Sequence, residues 1–589
     1  MKKHNIHRIL AAVCAFAMLF SLCACGSSNT QVSEPTTPPA EESVYRQVKD
    51  VEVSWDISEN VDENFPFEQY VADEREKWYL GYDAELTMYN QFPWKVCNDS
   101  FKTYSALNTV YEITGVDVTC DVALGDAAED IHLMMATGEW PDLIVLDPNH
   151  YLVNELINGG YVYSLTELAE QYDPDFLNDI PDAMIVAGQM GTDDSVWGMI
   201  SDLIPEWQYE GGTAQVNLGN QGYMVRHDIW EALGKPSIET PEDLYNTLKL
   251  FKETYPTLDG KTSIGLGGYG NGGDGTLLTI GYSFGLKQNI SVNYDDNSVT
   301  TRFLDPNYEE FAVFLNKLYT EGLMDPEFFV KNEQQCKESA SSNVFMMPWV
   351  THALNDPNTV LKENDPESIF VAIEPMSATG NDFTFRGSSR ATGSSIILVT
   401  KECSDPAAAL RLMRYGASSN GSMQTRYGNP GQHYIVTDGE FYQTEEVIEA
   451  SRSGNWSEWN KDHGIGDYYL FWYAPLPAGD QSEWNDKEFN APNTYPYSYD
   501  STNETFKMNT DGASDAGIAF AYIMQIGSTE TARAVTCGSE AECRAIIQAM
   551  QEEIRNTPNL DKLEEFWTTQ YRSNIDRFGE AAWGDPNPN

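Results

Sequence analysis

The sequence predicts an α/β protein in which helices cover a parallel sheet, built as more than one lobe. Three observations lead there. From residue 85 to 146 the chain alternates strand, helix, strand, helix and strand with short joints, and parallel strands need crossovers of this kind. Farther on, helices carry distinct start and stop residues and a single apolar stripe. Finally, 589 residues exceed the ~100–200 that one domain usually holds, so two or more lobes with ample core are expected.

The first stretch is not part of that fold. Lys2, Lys3 and Arg8 precede an apolar run from Ile9 to Phe20, and Leu22-Cys23-Ala24-Cys25 is followed by Gly26-Ser27-Ser28. A charged start, an apolar centre and a small residue at the cut form the layout of an export signal. The run is too short for a permanent bilayer-spanning helix. Leu22, Ala24 and Cys25 resemble the lipobox of bacterial lipoproteins, although Cys23 is unusual there. That resemblance implies cleavage before Cys25 and a lipid on its sulfur and amino group. Residues 26–50 are rich in Ser, Thr, Pro and Glu; they cannot bury enough apolar surface to order and are expected to be a tether. Residues 51–84 read as an extension that adds an edge strand or a helix.

The organised chain begins at Glu85-Leu-Thr-Met-Tyr-Asn90, whose alternation predicts a strand. A helical pattern over Phe101–Thr114 ends at Gly115, a helix-stop residue. Val116–Cys120 is a second strand. Ala127–Ala136 is a helix with Ile131, Met134 and Met135 on one face, and Pro141–Leu146 is a third strand. Ligands of such sheets sit beyond the carboxyl ends of the strands, where Asn90–Trp94 and Asp147–His150 are placed. Ser164-Leu-Thr-Glu167 has the form of a capping box. The chain is expected to cross to a second lobe near Gly198–Pro205.

Gly222–Arg226 then reads as a strand. Thr240-Pro241-Glu242-Asp243 combines a cap, a proline at the first helical position and acids near the positive end, and Leu244, Leu248 and Phe251 form the buried stripe of that helix. A glycine-rich stretch runs from Gly265 to Gly285. Tyr308–Thr320 is an amphipathic helix stopped by Gly322, and Val344–Trp349 and Ile369–Ile373 are strands. Ser394–Thr400 is a strand returning to the first lobe, and Asp405-Pro406 opens a helix to about Tyr415. The remainder, rich in aromatics between 456 and 484, is expected to complete the second lobe and includes a helix over Ala545–Ile554.

Hydrophobic residues make up 41% of the chain and aromatics 12%, the composition of a globular protein. The formal net charge is -54, and loss of the signal removes three more cations. So acidic a surface repels nucleic acid and anionic lipid headgroups. Beyond the signal and Cys25, the cysteines are Cys97, Cys120, Cys336, Cys403, Cys537 and Cys543. They are dispersed without a CxxC, which argues against a metal cluster. Cys537 and Cys543 are near enough in sequence to bridge, and buried free thiols are the equal alternative. Gly265-Leu-Gly-Gly-Tyr-Gly270 matches a dinucleotide-loop pattern, but as a glycine-rich cleft-side loop it is better explained without a nucleotide. No zinc-protease, nucleophile-elbow or P-loop motif occurs, and the histidines are scattered.

Four stretches carry a family resemblance. They are Thr114-Gly-Val-Asp-Val118 with Ala128–Ile144, Met224–Gly234 leading into the helix at Thr240, Phe314–Pro326, and Ser404–Met413. They resemble the extracellular solute-binding proteins of ABC importers, specifically the long, sugar-binding type related to maltose- and alginate-oligosaccharide-binding proteins. Ala136-Thr-Gly138 with Pro141-Asp142 is the most specific part. The resemblance implies a two-lobed type II periplasmic-binding-protein fold with the ligand cleft between the lobes. It implies an oligosaccharide ligand, ABC permease subunits as partners, a monomer on a lipid anchor, and no catalysis or cofactor. The lobes would be 85–200 with 386–440, and 201–385 with 441–589. Many long members have an Asp/Asn-rich calcium loop after the helix matching 241–255; here Pro256-Thr-Leu-Asp-Gly-Lys261 lacks the repeated carboxylates, so no calcium site is expected there.

A sugar offers an apolar C–H face and a rim of hydroxyls, so its site needs aromatic plates together with amides, carboxylates or Arg. The candidates are Asn90, Gln91 and Trp94 after the first strand, and Asp147, Asn149 and His150 after the third. Glu206 and Trp207 follow the crossover, and Tyr269 follows Ile264–Gly268. Trp349, in Pro348-Trp349, resembles the stacking tryptophan of the maltose-binding type. Arg386, Arg390, Trp472 and Tyr473 complete the set. Each has a plainer role open to it, as core aromatic, turn carboxylate or surface histidine. A secreted carbohydrate-active enzyme and a binder of a non-sugar solute such as a peptide are the rival readings.

Overall fold

A computed structural model describes residues 60–92, 98–123, 127–191, 193–201, 221–270, 276–350, 354–363, 365–380, 385–386, 393–437, 440–452, 456–466, 498–499 and 501–579. The signal, Cys25, the tether and Cys97 lie outside them. Among the described residues no helix is long and apolar enough to cross a membrane.

The alternating stretch folds as its pattern demands. Ala84–Asn90 pairs in parallel with Val116–Val122 on one side and Leu143–Leu146 on the other. The joints are the helices Ser105–Thr114 and Ala127–Thr137. The first ends on Gly115, whose φ of 80° is the left-handed conformation that favours glycine. Ile131 is fully buried in the second, with Met134 and Met135 packed half-buried against the core. Two further strands complete this five-stranded sheet: Ser395–Val399 lies antiparallel between Leu143–Leu146 and Gly198–Ser201. The all-parallel expectation fails there because the chain re-enters this sheet from the opposite end after visiting the second.

The second sheet has four strands in the order Phe370–Ile373, Gln221–Arg226, Val344–Val350, Ile264–Leu266. Gln221–Arg226 is antiparallel to both of its neighbours, and Val344–Val350 is parallel to Ile264–Leu266. Each sheet has its own large apolar core. In the second, the helix Pro241–Thr254 starts with a complete capping box between Thr240 and Asp243 and buries Leu244, Leu248 and Phe251 completely, each contributing about 1.5–3 kcal/mol. The C-terminal helices Asp515–Thr536, Glu540–Arg555 and Leu560–Phe578 close over the same core through Ile523, Ile547 and Trp567.

The extension takes one of its two expected forms, and the glycine-rich stretch departs from its expectation. The extension supplies a helix, Phe67–Trp78, whose Trp78 is 1% exposed in the first core. Before it, Val61 bridges Val436 of the hairpin Tyr434–Thr437/Glu440–Gln443. The glycine-rich stretch contains a strand, Ile264–Leu266, and a helix, Thr276–Ser283. Residues 462–464 pack on the start of the helix Ser105–Thr114. The helix Ser105–Thr114 opens with amides that have no intrahelical partner, and the carbonyls of Asp462 and His463 accept from Ser105 and Ala106 at 2.9 and 3.0 Å. Cys120, Cys336, Cys403, Cys537 and Cys543 are free thiols. After the helix Pro241–Thr254, Thr257–Leu258 and Lys261–Thr262 form a tight hairpin through Asp259 and Gly260, both at positive φ. Among the described residues no group of three or more His, Cys, Asp or Glu is arranged to hold a metal.

Candidate functional site

The carboxyl ends of the first sheet bring five of the candidates together. Asn90 is 2% exposed. Its carbonyl accepts from Ala123 N at 2.8 Å and its Oδ1 from Phe92 N at 3.0 Å. Its Nδ2 is engaged by no described residue. The Gln91 amide donates to Val145 O at 3.1 Å, and its Oε1 accepts from Asp147 N at 2.9 Å; its Nε2 is likewise unengaged among the described residues. Gln91 therefore ties the end of the first strand to the end of the third.

Asp147 shapes the turn that follows. Its Oδ1 accepts from Asn149 N at 2.7 Å and its carbonyl from His150 N at 2.9 Å, the Asx geometry in which a short carboxylate replaces a backbone acceptor. His150 Nδ1 accepts from Leu152 N at 3.3 Å and caps the helix Tyr151–Asn158. That bond requires a lone pair on Nδ1, so the neutral ring carries its proton on Nε2. The imidazole stacks on Tyr151 with centroids 4.8 Å apart. Asp147 and His150 thus act in the fold, whereas the Asn149 side chain, half-buried, bonds to no described residue. The three side-chain amides of Asn90, Gln91 and Asn149 leave NH2 donors at the strand ends.

The second sheet places an aromatic pair at its corresponding ends. Tyr269 follows Ile264–Leu266, Trp349 sits near the end of the parallel strand Val344–Val350, and their rings meet edge to face at 5.4 Å. Trp349 is 4% exposed, packed with Met224, Met347 and Phe370; Tyr269 is the half-buried outer member. Burial pushes the Tyr269 phenol up to about 12, so it stays protonated and can donate. Thr276 Oγ1 holds the Tyr269 backbone, accepting from its N at 2.8 Å and donating to its O at 2.9 Å.

The glycines beside Tyr269 have a packing cause. Gly268 has φ of 152°, and a Cβ there would lie 2.3 Å from the Phe328 ring and 2.4 Å from Thr276 Oγ1; one on Gly270 would lie 2.6 Å from Phe329. The backbone must pass this close to the Phe328–Phe329 loop, so the nucleotide-loop pattern marks close approach of chain to chain. Phe329 lies against Gly270, the next residue after Tyr269, and Val330 behind it in the chain is 79% exposed, an apolar lip that sequence reasoning missed. Nothing in the Phe-Phe-Val order separates a lip from a core segment.

Trp94, Glu206, Trp207, Arg390, Trp472 and Tyr473 lie outside the described residues, and Arg386 is described only as backbone, in Phe385–Arg386 paired with Ser498–Tyr499. A groove of about 380 Å³ lined by Phe284, Phe314 and Asn316 lies among helices of the second core and shares no residue with the strand ends.

Residues 99–422 match the model of a family described as bacterial extracellular solute-binding proteins. No curated protein matches the sequence. Solved structures do. An extracellular solute-binding protein from Bifidobacterium longum subsp. infantis is 15% identical with a TM-score of 0.63, over 84% of this chain and 98% of that one. An HMO-binding, ABC-transporter-associated solute-binding protein from Bifidobacterium longum infantis is 16% identical with a TM-score of 0.61, over 83% and 98%. The S. pneumoniae ABC-transporter substrate-binding protein FusA in complex with kestose is 16% identical with a TM-score of 0.60, over 84% and 100%. At these identities the likeness is one of fold.

Proposed function

Because the chain belongs to the bacterial extracellular solute-binding protein family, we propose that it captures an oligosaccharide between two lobes and delivers it to an ABC permease. The reading rests on the chemistry at the carboxyl ends of the two sheets: side-chain amides that no described residue engages on one, and the edge-to-face Tyr269–Trp349 pair on the other. Amides suit hydroxyls and an aromatic face suits the C–H side of a sugar ring. Similar structures described as binding HMO or kestose support the class of ligand.

In this reading the described residues of 60–201 and 393–466 belong to one lobe, and those of 221–373 and 501–579 to the other. Asn90, Gln91 and Asn149 reach hydroxyls from the first lobe. Tyr269 meets the ring from the second, with Trp349 behind it and Phe329–Val330 as the lip. Trp94, Glu206, Trp207, Arg386, Arg390, Trp472 and Tyr473 stay ligand-binding candidates from the sequence alone, and Asp147 and His150 shape the turn that carries Asn149. The mature chain is a monomer tethered outside the cytoplasm by lipid on Cys25, and closure of the lobes is the signal read by the permease.

Thermal unfolding of protein lacking residues 1–25, against neutral and acidic oligosaccharides, tests this. A ligand at about 100 times its Kd adds ~2.7 kcal/mol, a shift of a few degrees. A rise with a sugar that is recovered intact is the expected result. Cleavage of that sugar would give the case to a carbohydrate-active enzyme, and no rise with any sugar would remove the oligosaccharide.

A further inference from the structure

One short segment of the second lobe reaches across to the ligand loop of the first. Residues 503–508 are fixed to the helix Leu560–Phe578: Trp567 Nε1 donates to Met508 O at 3.0 Å, and the buried Asn574 Nδ2 donates to Phe506 O at 2.8 Å and Asn503 O at 3.1 Å. The next residue, Asn509, leaves that lobe in both directions. Its Nδ2 donates to Pro148 O at 3.3 Å, inside the Asp147–His150 turn, and its own carbonyl accepts from Asn154 Nδ2 at 3.2 Å. Three residues on, Gly512 lies against the Tyr151 ring, so close that a Cβ would sit 3.0 Å from it. Two residues before, Lys507 holds a left-handed backbone with φ of 55° and donates from Nζ to Gly191 O at 2.7 Å. Arg577 donates to Gln189 Oε1 beside it.

We propose that Asn509 is a positioning residue: donating to Pro148 and accepting from Asn154, it forms a two-bond amide clasp that couples the Asp147–His150 turn to the second lobe, and Lys507 steadies the same seam. The assignment of that turn to the ligand cleft rests on the reading above; the clasp itself does not. Each bond in the seam joins an amide, an ammonium or a guanidinium to a neutral oxygen, with no opposing charge. A seam of a few such bonds holds the lobes in one relation yet is weak enough for ligand to alter. Because Pro148 lies between Asp147 and Asn149, movement of the second lobe is transmitted to the residues that shape and line the candidate site.

The test needs no sugar, so failure of the clasp and failure of the oligosaccharide reading are separable. Asn509→Ala, Asn154→Ala, the double variant and Lys507→Met are compared with the parent protein by small-angle scattering, hydrogen exchange and urea unfolding. Asn509→Asp, which keeps the size and the backbone carbonyl but cannot donate to Pro148 O, separates donation from packing. The expected result is a larger radius of gyration and several-fold faster exchange of the 149–154 amides at urea concentrations well below the transition. Each single alanine variant removes one of the two bonds and leaves the other, so the double variant should show the larger change. Unchanged scattering and exchange in the double variant would overturn the proposal. So would a lowered urea midpoint without a change in native-state scattering, since the residues would then serve only the stability of their own lobes.

Discussion

Asn149 offers the cleanest test of the site because its side chain bonds to no described residue. Asn149→Ala should leave the urea midpoint of the ligand-free protein unchanged and weaken the oligosaccharide found in the panel by about 1–3 kcal/mol, read by calorimetry. Unchanged affinity would remove Asn149 from the site. Asn90 and Gln91 are less clean, since their oxygens hold Phe92 and Asp147 and their loss would alter the loop as well. His433 carries a different kind of prediction. It is 5% exposed, its Nδ1 accepts from Asn429 N at 2.8 Å, and the His463 ring meets it edge to face at 5.4 Å. Burial, then the His463 charge, lowers its pKa to about 4, with Glu446 opposing. The unfolded chain binds the proton near pH 6.5 and the folded one only near 4. Stability from neutral His433 is therefore complete above pH 6.5 and is lost as pH falls towards 4, by up to about 3 kcal/mol. Urea unfolding at pH 7 and pH 5 should show that fall, and His433→Gln should flatten it.

At the scale of elements, helix starts were legible and the glycine segment was not. Thr240, Pro241 and Asp243 are adjacent in sequence, and a capping box needs nothing more; Thr240→Ala should lower stability by about 1 kcal/mol in urea unfolding. The segment 265–285 reads as loop by composition, yet it holds the end of the strand Ile264–Leu266 and the helix Thr276–Ser283, and Gly268 and Gly270 admit the Phe328–Phe329 loop. Gly268→Ala would force a Cβ into Phe328 and Thr276. It should cost about 1–3 kcal/mol through overpacking and strain and displace Tyr269, so that ligand affinity falls with the urea midpoint. An unchanged midpoint would refute the close-approach account. The strand Ser395–Val399 was legible as a strand, but its antiparallel direction was not, since direction depends on where the chain has been.

At the scale of the molecule, charge and the division into two cores dominate. A chain with a formal charge of -54 repels itself, and salt screens that repulsion over a Debye length of about 10 Å at 0.1 M. Raising NaCl from about 10 to 150 mM should raise the melting temperature; a fall would mean that surface ion pairs outweigh the repulsion. The pairs seen on the surface, such as Lys317 with Glu242 at 3.3 Å, are of the exposed kind worth about 0–1 kcal/mol each.

The alternation of strands and helices from 84 to 146, the capped helices at Thr240 and Asp405, and the family pattern around Thr137-Gly138 and Pro141-Asp142 could all be read without coordinates. Each depends on residues within a few positions of one another, where backbone geometry and capping chemistry act. The docking of Asp462 and His463 onto the helix at Ser105, the burial of Trp349 behind Tyr269, and the clasp between Asn154 and Asn509 could not. Those contacts join residues up to hundreds of positions apart, and their partners are mostly backbone oxygens, which every residue carries alike. The sequence by itself determined the two-sheet α/β plan and the class of solute-binding protein, because local pattern suffices for both. Which side-chain amides at the strand ends no described residue engages, and which side chains join distant segments, only the tertiary structure decided, because a hydrogen bond belongs to whichever donor and acceptor the completed fold brings within reach.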